Sequence, residues 1–316
     1  MMKYICNIWK LCFLLGCMYP ITVAVESNTC SVKTISTLTY INCVDIRLTG
    51  ELPLSSKVPD TSTVVSLQLA NSSGKIDETS FTNINHIQTI DIEHCALSKF
   101  VLPILPELKV LDISDSFIPS FDRNSLKNCK NLDRIYLKKN RMEISNGAFQ
   151  DLIHLTILDI EQQNVTLNEQ FLKGLKNLTL LSITDSTITT ISKDIFKDVP
   201  ELADLNLSRN PLEKIEIGAL DPLKKLTQLN ILDTDLNKLD AEIFKGNSIL
   251  ESLRAPAKAI KNFDLRKFMK NSPGFYIFDF SLTDCGNSAI HDLQSKIKDD
   301  EFVYVYFDGI ERPDRC

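Results

Sequence analysis

Glycine and histidine are scarce in this sequence, which has only ten glycines and four histidines among 316 residues. It contains no G-x-S-x-G or H-E-x-x-H motif and no glycine-rich loop that could hold a phosphate group. The neighbouring pair of His94 and Cys95 is interpreted as structural, since two such residues alone rarely hold a metal. The sequence therefore predicts no catalytic residue, no metal site and no cofactor, and a secreted enzyme is the least favoured interpretation.

Long apolar runs are also missing, apart from one near the N-terminus. Residues 1–24 begin with the basic Lys3 and Lys10, continue through an apolar run at 11–19 and end in small residues at 22–24. This order predicts a secretory signal peptide. An uncleaved membrane anchor is the alternative, although the run is short for a bilayer. We expect a secreted, extracellular product without stable membrane insertion.

Basic residues are fewer than acidic ones, with 35 Lys and Arg against 41 Asp and Glu. Removal of the signal peptide takes away two lysines and no acid, so the net charge of the mature chain becomes −8. Such a charge favours solubility and argues against nucleic acid or an anionic membrane as the main partner. Linkers and sustained heptads are absent as well, so the sequence predicts one elongated domain without a coiled-coil arm and leaves its oligomeric state open.

The stretch at 202–215 shows the pattern that organises the rest of the chain. It reads LADLNLSRNPLEKI, in which Leu205 and Leu207 alternate with polar residues, as in a short strand with one buried face. Asn210 follows where the chain leaves that strand, so its amide can satisfy backbone groups that face inward. The pattern recurs every 21 to 25 residues, with its first apolar residue at Val64, Ile87, Leu108, Leu132, Leu155, Leu178, Leu202, Leu226, Leu250 and Phe275.

These repeats, with aromatic anchors at Phe149, Phe196 and Phe244, resemble the extracellular leucine-rich-repeat superfamily. The resemblance implies an α/β repeat fold, which is a curved solenoid with a parallel sheet on its concave face and disulfide-capped ends. We expect the chain to divide into a signal peptide at 1–24, an N-terminal cap at 25–63, nine repeats at 64–274, and a last repeat with a C-terminal cap at 275–316.

Six cysteines remain once the signal peptide is removed, and they lie in an oxidising compartment. The resemblance implies one disulfide bond at each end of the array, joining Cys30 with Cys43 and Cys285 with Cys316. The first pair flanks ISTLTYIN, which we interpret as a single cap strand. Beside the second pair, we expect a helix at 288–298 and a final strand at 302–307 whose edge is covered by the tail that follows.

Two further cysteines fall at core-facing positions of the repeats. Cys95 takes the turn position of Asn210, and Cys129 takes the apolar position that Leu152 holds one repeat later. We interpret them as buried free thiols that act as small apolar side chains, although the sequence does not decide whether they are free.

Four asparagines begin the N-x-S/T pattern that accepts N-linked glycans, namely Asn71, Asn164, Asn177 and Asn206. The pattern also occurs by chance, so the sequence does not decide which of them are occupied. Asn206 is expected on the inner sheet face, where a sugar would cover part of the binding surface.

The repeat register predicts which side chains project from the concave face. Acidic rows are interrupted by a basic and aromatic group, and Ile157, Leu180 and Leu232 are apolar where exposure is expected. Mixed charge around a tyrosine and a few aliphatic residues suits a protein surface. We therefore predict partner-binding residues at Arg134, Tyr136, Lys138, Lys139, Ile157, Asp91, Asp112 and Asp159. The alternative is that these charges only solvate an exposed sheet.

The function that these observations favour is recognition of another protein or of a pathogen surface by a secreted, non-enzymatic protein. The degenerate repeats and small size resemble short soluble leucine-rich-repeat proteins of insects, which implies a role in innate immunity. The chain departs from the mosquito immune-factor pattern because it has no C-terminal coiled coil. An extracellular-matrix or developmental adhesion module is the alternative.

Overall fold

The computed structural model describes residues 29–49, 52, 60–81, 83–140, 142–281, 284, 287–297 and 303–311. The signal peptide at 1–24 and the expected bond between Cys285 and Cys316 lie outside these residues. Among the described residues, no helix is long and apolar enough to cross a membrane. The described chain forms a leucine-rich-repeat solenoid built on one long sheet.

Each repeat contributes one strand to the long sheet, and short helices and turns connect the strands. The strands are β1 Thr29–Ile35, β2 Leu38–Val44, β3 Arg47–Leu48, β4 Val64–Ala70, β5 Ser73–Ile76, β6 Thr89–Glu93, β7 Ala96–Phe100, β8 Val110–Ser114, β9 Arg134–Lys138, β10 Ile157–Glu161, β11 Leu180–Thr184, β12 Thr190–Ile191, β13 Asp204–Asn206, β14 Lys214–Ile215, β15 Gln228–Asn230, β16 Ser252–Arg254, β17 Ile277–Phe280, β18 Tyr304–Phe307 and β19 Ile310–Glu311. The helices are α1 Arg123–Leu126, α2 Leu265–Asn271 and α3 Ser288–Lys296, with 3-10 turns at Thr61–Thr63, Ala241–Phe244 and Ala257–Ile260.

The long sheet has 14 strands within the described part of the chain, in the order β1-β2-β4-β6-β8-β9-β10-β11-β13-β15-β16-β17-β18-β19. Neighbouring strands are parallel from β2 to β18, and only the outermost pair at each end is antiparallel. Smaller sheets, β3-β5-β7 and β12-β14, lie on the side where the chain leaves the long sheet. The parallel solenoid expected from the repeat period is confirmed.

Leucines of successive strands stack on each other to form the core. Leu158 of β10 pairs with Ile135 of β9 and with Leu181 of β11, and all three are fully buried. The first apolar residue of every repeat is buried as well. On the opposite side of the core, Phe149 lies between two other buried rings, with centroid separations of 5.8 Å to Phe121 and 5.6 Å to Phe171. The three predicted aromatic anchors are all buried; Phe149 belongs to this group of rings and Phe244 to a second one with Phe263 and Phe268.

Eight repeats leave their strand through one residue in the left-handed region, which is followed by a buried polar residue in every case but the second repeat, where Cys95 takes that place. The left-handed residues have φ between 46° and 56°, at Asn71, His94, Asp115, Lys139, Gln162, Asp185, Arg209 and Asp233. The next residue in the seventh repeat is Asn210, whose Nδ2 donates to Ile183 O at 2.7 Å and whose Oδ1 accepts from Ser186 N at 3.2 Å. The predicted role of Asn210 in satisfying inward-facing backbone groups is confirmed.

The N-terminal cap is a β-hairpin instead of the single strand expected for ISTLTYIN. Ser36 adopts φ 56° and turns the chain, so β1 folds back on β2 in antiparallel register. Cys30 and Cys43 lie opposite each other in this hairpin and form the predicted disulfide bond. The turn was missed because it contains Ser36 and Thr37 and none of the Gly, Asn or Asp residues that usually mark a two-residue hairpin turn.

The C-terminal cap follows the expected order of helix, strand and returning tail. The Asn287 side chain caps α3 by accepting from Ala289 N at 2.9 Å. Strand β18 pairs with β17 on one side and with β19 on the other, so the returning chain covers its edge through residue 311.

Candidate functional site

The parallel register places the exposed side chains of the concave face in straight rows across the strands. The first row contains Thr89, Val110, Arg134, Ile157 and Leu180. The middle row contains Asp91, Asp112, Tyr136, Asp159 and Ser182. The last row contains Glu93, Ser114, Lys138, Glu161 and Thr184. The strands β6, β8, β9, β10 and β11 therefore bring together the predicted partner-binding residues, with Lys139 in the turn after β9.

An acidic cluster, defined as Asp91, Glu93 and Asp112, occupies β6 and β8. Burial raises the pKa of Asp91, and the charges of Asp112 and Glu93 raise it further. Burial also raises the pKa of Asp112, an effect that Lys138 partly offsets and to which Asp159 and Glu93 add. Because the charged forms of these two carboxyls are unfavourable in the free protein, a cation placed beside them would be stabilised.

A basic cluster, defined as Arg134, Tyr136, Lys138 and Lys139, lies on β9 and its following turn. The Lys138 ammonium is 3.5 Å from Asp159 Oδ2 and lies 5.7 Å from the centre of the Tyr136 ring. Arg134 Nε is 3.2 Å from Asp133 Oδ2. These contacts hold the two long side chains against the sheet, while Lys139 is exposed at the turn.

An apolar edge, defined as Val110, Ile157 and Leu180, runs along the first row. All three side chains are half-buried, although the opposite face of the same strands forms the core. Leu232 was predicted to be exposed in the same way and is buried, with 7% exposure. The reason is that the Asn230 side chain accepts a hydrogen bond from Leu232 N at 3.1 Å, which ends β15 early and turns Leu232 inward.

The N-terminal hairpin adds an apolar patch that sequence reasoning missed. Ile35, Leu38, Tyr40 and Val44 are 51%, 43%, 39% and 37% exposed. Leu38, Tyr40 and Val44 alternate along β2 with buried residues such as Ile41 and Cys43, and Ile35 lies opposite Leu38. All four side chains therefore project from the concave side. The alternation of LTYINCV was the available signal, but its exposed face could be assigned only once the hairpin was known.

The four glycan acceptors occupy different surfaces. Asn71, Asn164 and Asn177 are exposed outside the rows of the concave face. Asn206 is half-buried in the middle row beside Ser182 and Asn230, and its Oδ1 accepts from Ser208 N at 3.1 Å. A glycan on Asn206 would crowd the face beyond β11, which leaves the N-terminal half of the sheet open.

A groove of about 460 Å³ offers a second concave feature, outside the long sheet. Its lining includes the exposed Phe117, Met142 and the glycan acceptor Asn164. A glycan on Asn164 would lie at the rim of this groove, so the concave sheet is the better-exposed candidate. Within the described residues, no group of three or more His, Cys, Asp or Glu is arranged to hold a metal ion.

The middle cysteines are both buried and free. Burial raises the pKa of the Cys95 thiol to about 11 and that of the Cys129 thiol to about 12. Cys95 Sγ lies 3.5 Å from Leu69 O in the preceding repeat. Asn210 makes the equivalent contact in its own part of the array, with Ile183 O of the preceding repeat. Both thiols therefore fill the core and lack the thiolate character that reactivity requires.

Repeats of the leucine-rich kind are also found by comparison with known families. The model described as leucine rich repeat matches residues 106–165 and 176–236. This match agrees with the geometry of the strands and turns, and the molecule is a leucine-rich-repeat solenoid.

Two known proteins show how far the similarity extends. Osteomodulin of Rattus norvegicus is 27% identical over 146 residues, which is 45% of this chain and 34% of osteomodulin. The match therefore spans about a third of that relative. A chain of the octameric complex of Latrophilin 3 (Lec, Olf), Unc5D (Ig, Ig2, TSP1) and FLRT2 (LRR) is 18% identical, with a TM-score of 0.58 over 80% of this chain and 86% of that one. At this identity the structural likeness concerns the fold alone.

Proposed function

We propose that this chain is an extracellular, non-enzymatic protein-binding module whose concave face, from β6 to β11, contacts a partner protein. The observation that carries the proposal is the set of neighbours around Tyr136, which lies between Asp112 and Asp159 in the middle row. An aromatic residue beside cations and half-buried aliphatic residues has the composition of an interface hot spot. Because the sheet fixes these side chains, binding requires little ordering of loops.

The size of the concave face supports the same proposal. Strands of a sheet lie about 4.8 Å apart, so the ten repeat strands span roughly 43 Å. A standard protein interface buries about 800 Å² on each partner, and a surface of this length can supply that area. The acidic cluster would orient a partner that carries basic charge, with an association rate that falls as salt increases.

An extracellular location is supported by three features of the chain. The Cys30–Cys43 bond requires an oxidising compartment. The apolar leader at 1–24 and the four glycan acceptors favour the secretory route. The likeness to osteomodulin supports protein binding in an extracellular-matrix or adhesion role. Innate immunity is supported only by the resemblance to short insect proteins.

The proposal is tested with the double variant Tyr136→Ala, Lys138→Glu. A partner would be captured from the animal's own secretions, purified, and measured against both wild type and variant. We expect the variant to keep its melting temperature and to lose at least about tenfold in affinity, because loss of the central Tyr136 ring outweighs the attraction that the reversed charge at 138 adds for a basic partner.

The matched control is Phe117→Ala, Lys245→Glu, which removes an exposed aromatic ring and reverses an exposed lysine away from the concave sheet. It should bind like wild type. Full binding by the folded Tyr136 variant, or equal losses in the two double variants, would place the interface elsewhere.

A further inference from the structure

Two strips of different chemistry lie side by side along the concave face. The apolar edge follows the first row from β8 to β11, with the exposed Arg134 of β9 between Val110 and Ile157. The acidic cluster follows the middle and last rows at β6 and β8. Both strips run across the strands, along the axis of the solenoid, and they overlap on β8, where Val110 and Asp112 lie on the same strand. A ligand that matches both must therefore lie lengthwise, with apolar groups on one side and cations on the other.

Among the described residues of the concave face from β6 to β11, the negative charge without a strong ion pair lies in the acidic cluster and at Glu161, in the last row on β10. Lys138 already lies beside Asp159, and Arg134 turns its guanidinium toward Asp133. Asp91 accepts only a long hydrogen bond from Gln68 Nε2, at 3.3 Å, and Asp112 Oδ1 accepts no hydrogen bond from the described residues. Among the described residues, the Glu93 carboxylate contacts one basic side chain, His94, whose Nε2 lies 3.3 Å from Glu93 Oε1. Cations of a ligand would thus find their partners on β6, on β8 and, at Glu161, on β10.

The spacing of the rows favours a helical ligand over an extended one. Neighbouring strands place equivalent side chains about 4.8 Å apart. A helix repeats one side every 5.4 Å, through residues three or four apart, whereas an extended chain repeats one side every two residues, about 6.8 Å. From β6 to β11 the rows extend roughly 19 Å, which corresponds to about 13 helical residues.

We propose that the concave face binds an amphipathic α-helix of a partner protein, lying lengthwise from β6 to β11, with its apolar side on Val110, Ile157 and Leu180 and its basic side on Asp91, Glu93 and Asp112. This inference rests on the proposed function, because it names the partner of the same face. The apolar patch of the N-terminal hairpin extends the surface in the same direction, toward the end of the helix that passes β6.

A model peptide tests the inference without knowledge of the natural partner. The probe is a fluorescein-labelled peptide of about 18 Leu and Lys residues, patterned so that a helix has one apolar and one basic side. Its controls are a scrambled peptide of the same composition and a peptide with Glu in place of Lys. We expect the amphipathic peptide to bind in fluorescence anisotropy at least about tenfold more tightly than either control, with a gain of helical circular dichroism and weaker binding at high salt.

Two matched pairs of variants locate the peptide. Asp112→Asn, prepared without N-linked glycosylation because the change completes an N-x-S pattern with Ser114, should weaken its binding about tenfold. Asp194→Asn, at an exposed turn after β12, should change it less than about twofold. Ile157→Ser should also weaken binding about tenfold, whereas Ile153→Ser, which is exposed outside the rows, should not. Melting curves of all four variants confirm that they are folded.

The possible results distinguish a failure of this inference from a failure of the proposed function on which it rests. Equal binding of the scrambled peptide would reduce the interaction to charge alone and overturn the helix. Absence of peptide binding, or binding that ignores Asp112 and Ile157, would overturn it too. In each of these cases, loss of the captured partner by the Tyr136 and Lys138 variant would still uphold the concave face as the protein-binding surface.

Discussion

Some charged residues of the concave face lower the stability of the folded protein, although packing of the core does not depend on their charge. Asp112 is half-buried among other carboxylates. Burial raises its pKa most, the positive charge of Lys138 lowers it, and the negative charges of Asp159 and Glu93 raise it further. A carboxyl whose pKa is raised in the folded state binds its proton more tightly there than in the unfolded chain. Its charge therefore destabilises the fold at neutral pH, as expected for a group kept for binding.

In protein made without N-linked glycosylation, since the change completes an N-x-S pattern with Ser114, Asp112→Asn should accordingly raise the melting temperature at neutral pH, by a few degrees at most. The sign follows from linkage: the destabilisation is complete above the raised folded-state pKa and disappears below the ordinary carboxyl pKa of the unfolded chain. Thermal melts of wild type and variant at neutral pH and at acidic pH measure this. A variant that is equally or less stable at neutral pH would show that Asp112 contributes to folding.

Residue identity along the rows could be assigned from the sequence because the repeat period fixes the register. Arg134, Tyr136 and Lys138 lie in the predicted rows, and Ile157 has the predicted partial exposure. The exposure of Leu232 was predicted wrongly, since the register alone does not show where a strand ends. The end of β15 depends on the Asn230 side chain, whose Oδ1 accepts the hydrogen bond of the Leu232 backbone N–H in place of a neighbouring strand.

At the scale of elements, the turns that follow the strands differ in how well they satisfy their backbone. Asn140 Nδ2 donates to Ile113 O at 2.7 Å, and its Oδ1 accepts from Ser116 N at 3.0 Å. Gln163 holds the equivalent place one repeat later, but its Nε2 reaches only Glu161 O at 3.4 Å and its buried Oε1 has no partner among the described residues. The longer side chain does not reproduce the asparagine geometry.

Gln163→Asn should therefore stabilise the protein, by about 1 kcal/mol, because it gives the buried turn a well-placed donor and acceptor. Asn210→Ala should destabilise it by roughly 2–6 kcal/mol, because Ser186 N and Ile188 N would both lose their acceptor at about 1–3 kcal/mol each. Urea unfolding of the two variants measures both changes. A loss of stability in Gln163→Asn would mean that the turn after β10 has its own geometry.

The elements inside the array were predictable because the same sequence pattern recurs in every repeat, whereas the sequences of the caps do not recur. The hairpin of β1 and β2 depends on Ser36 in the left-handed region, which sequence composition does not favour. As a result, the exposed patch of Ile35, Leu38 and Tyr40 could not be placed on the concave face from the sequence.

At the scale of the whole molecule, each repeat is expected to be stabilised by its own fold and by its contacts with the two neighbouring repeats. Each strand pairs only with the strands on either side, so the described chain has no contacts in the sheet that join distant repeats. In such a solenoid, the caps protect the ends and the loss of a cap acts locally. The disulfide between Cys30 and Cys43 closes a loop of sequence separation 13 in the first hairpin.

Cys30→Ala, Cys43→Ala should thus cost about 3 kcal/mol at the N-terminal end, the loss expected for a loop of that length. Native-state hydrogen exchange should show the largest loss of amide protection in β2 and β4, smaller losses through β6 and β8, and unchanged protection in β16 to β18. The gradient would follow from pairing that is strictly nearest-neighbour. A uniform loss that reaches β18 would instead show that the array unfolds as one cooperative unit, and that the concave face cannot open at one end while it remains ordered at the other.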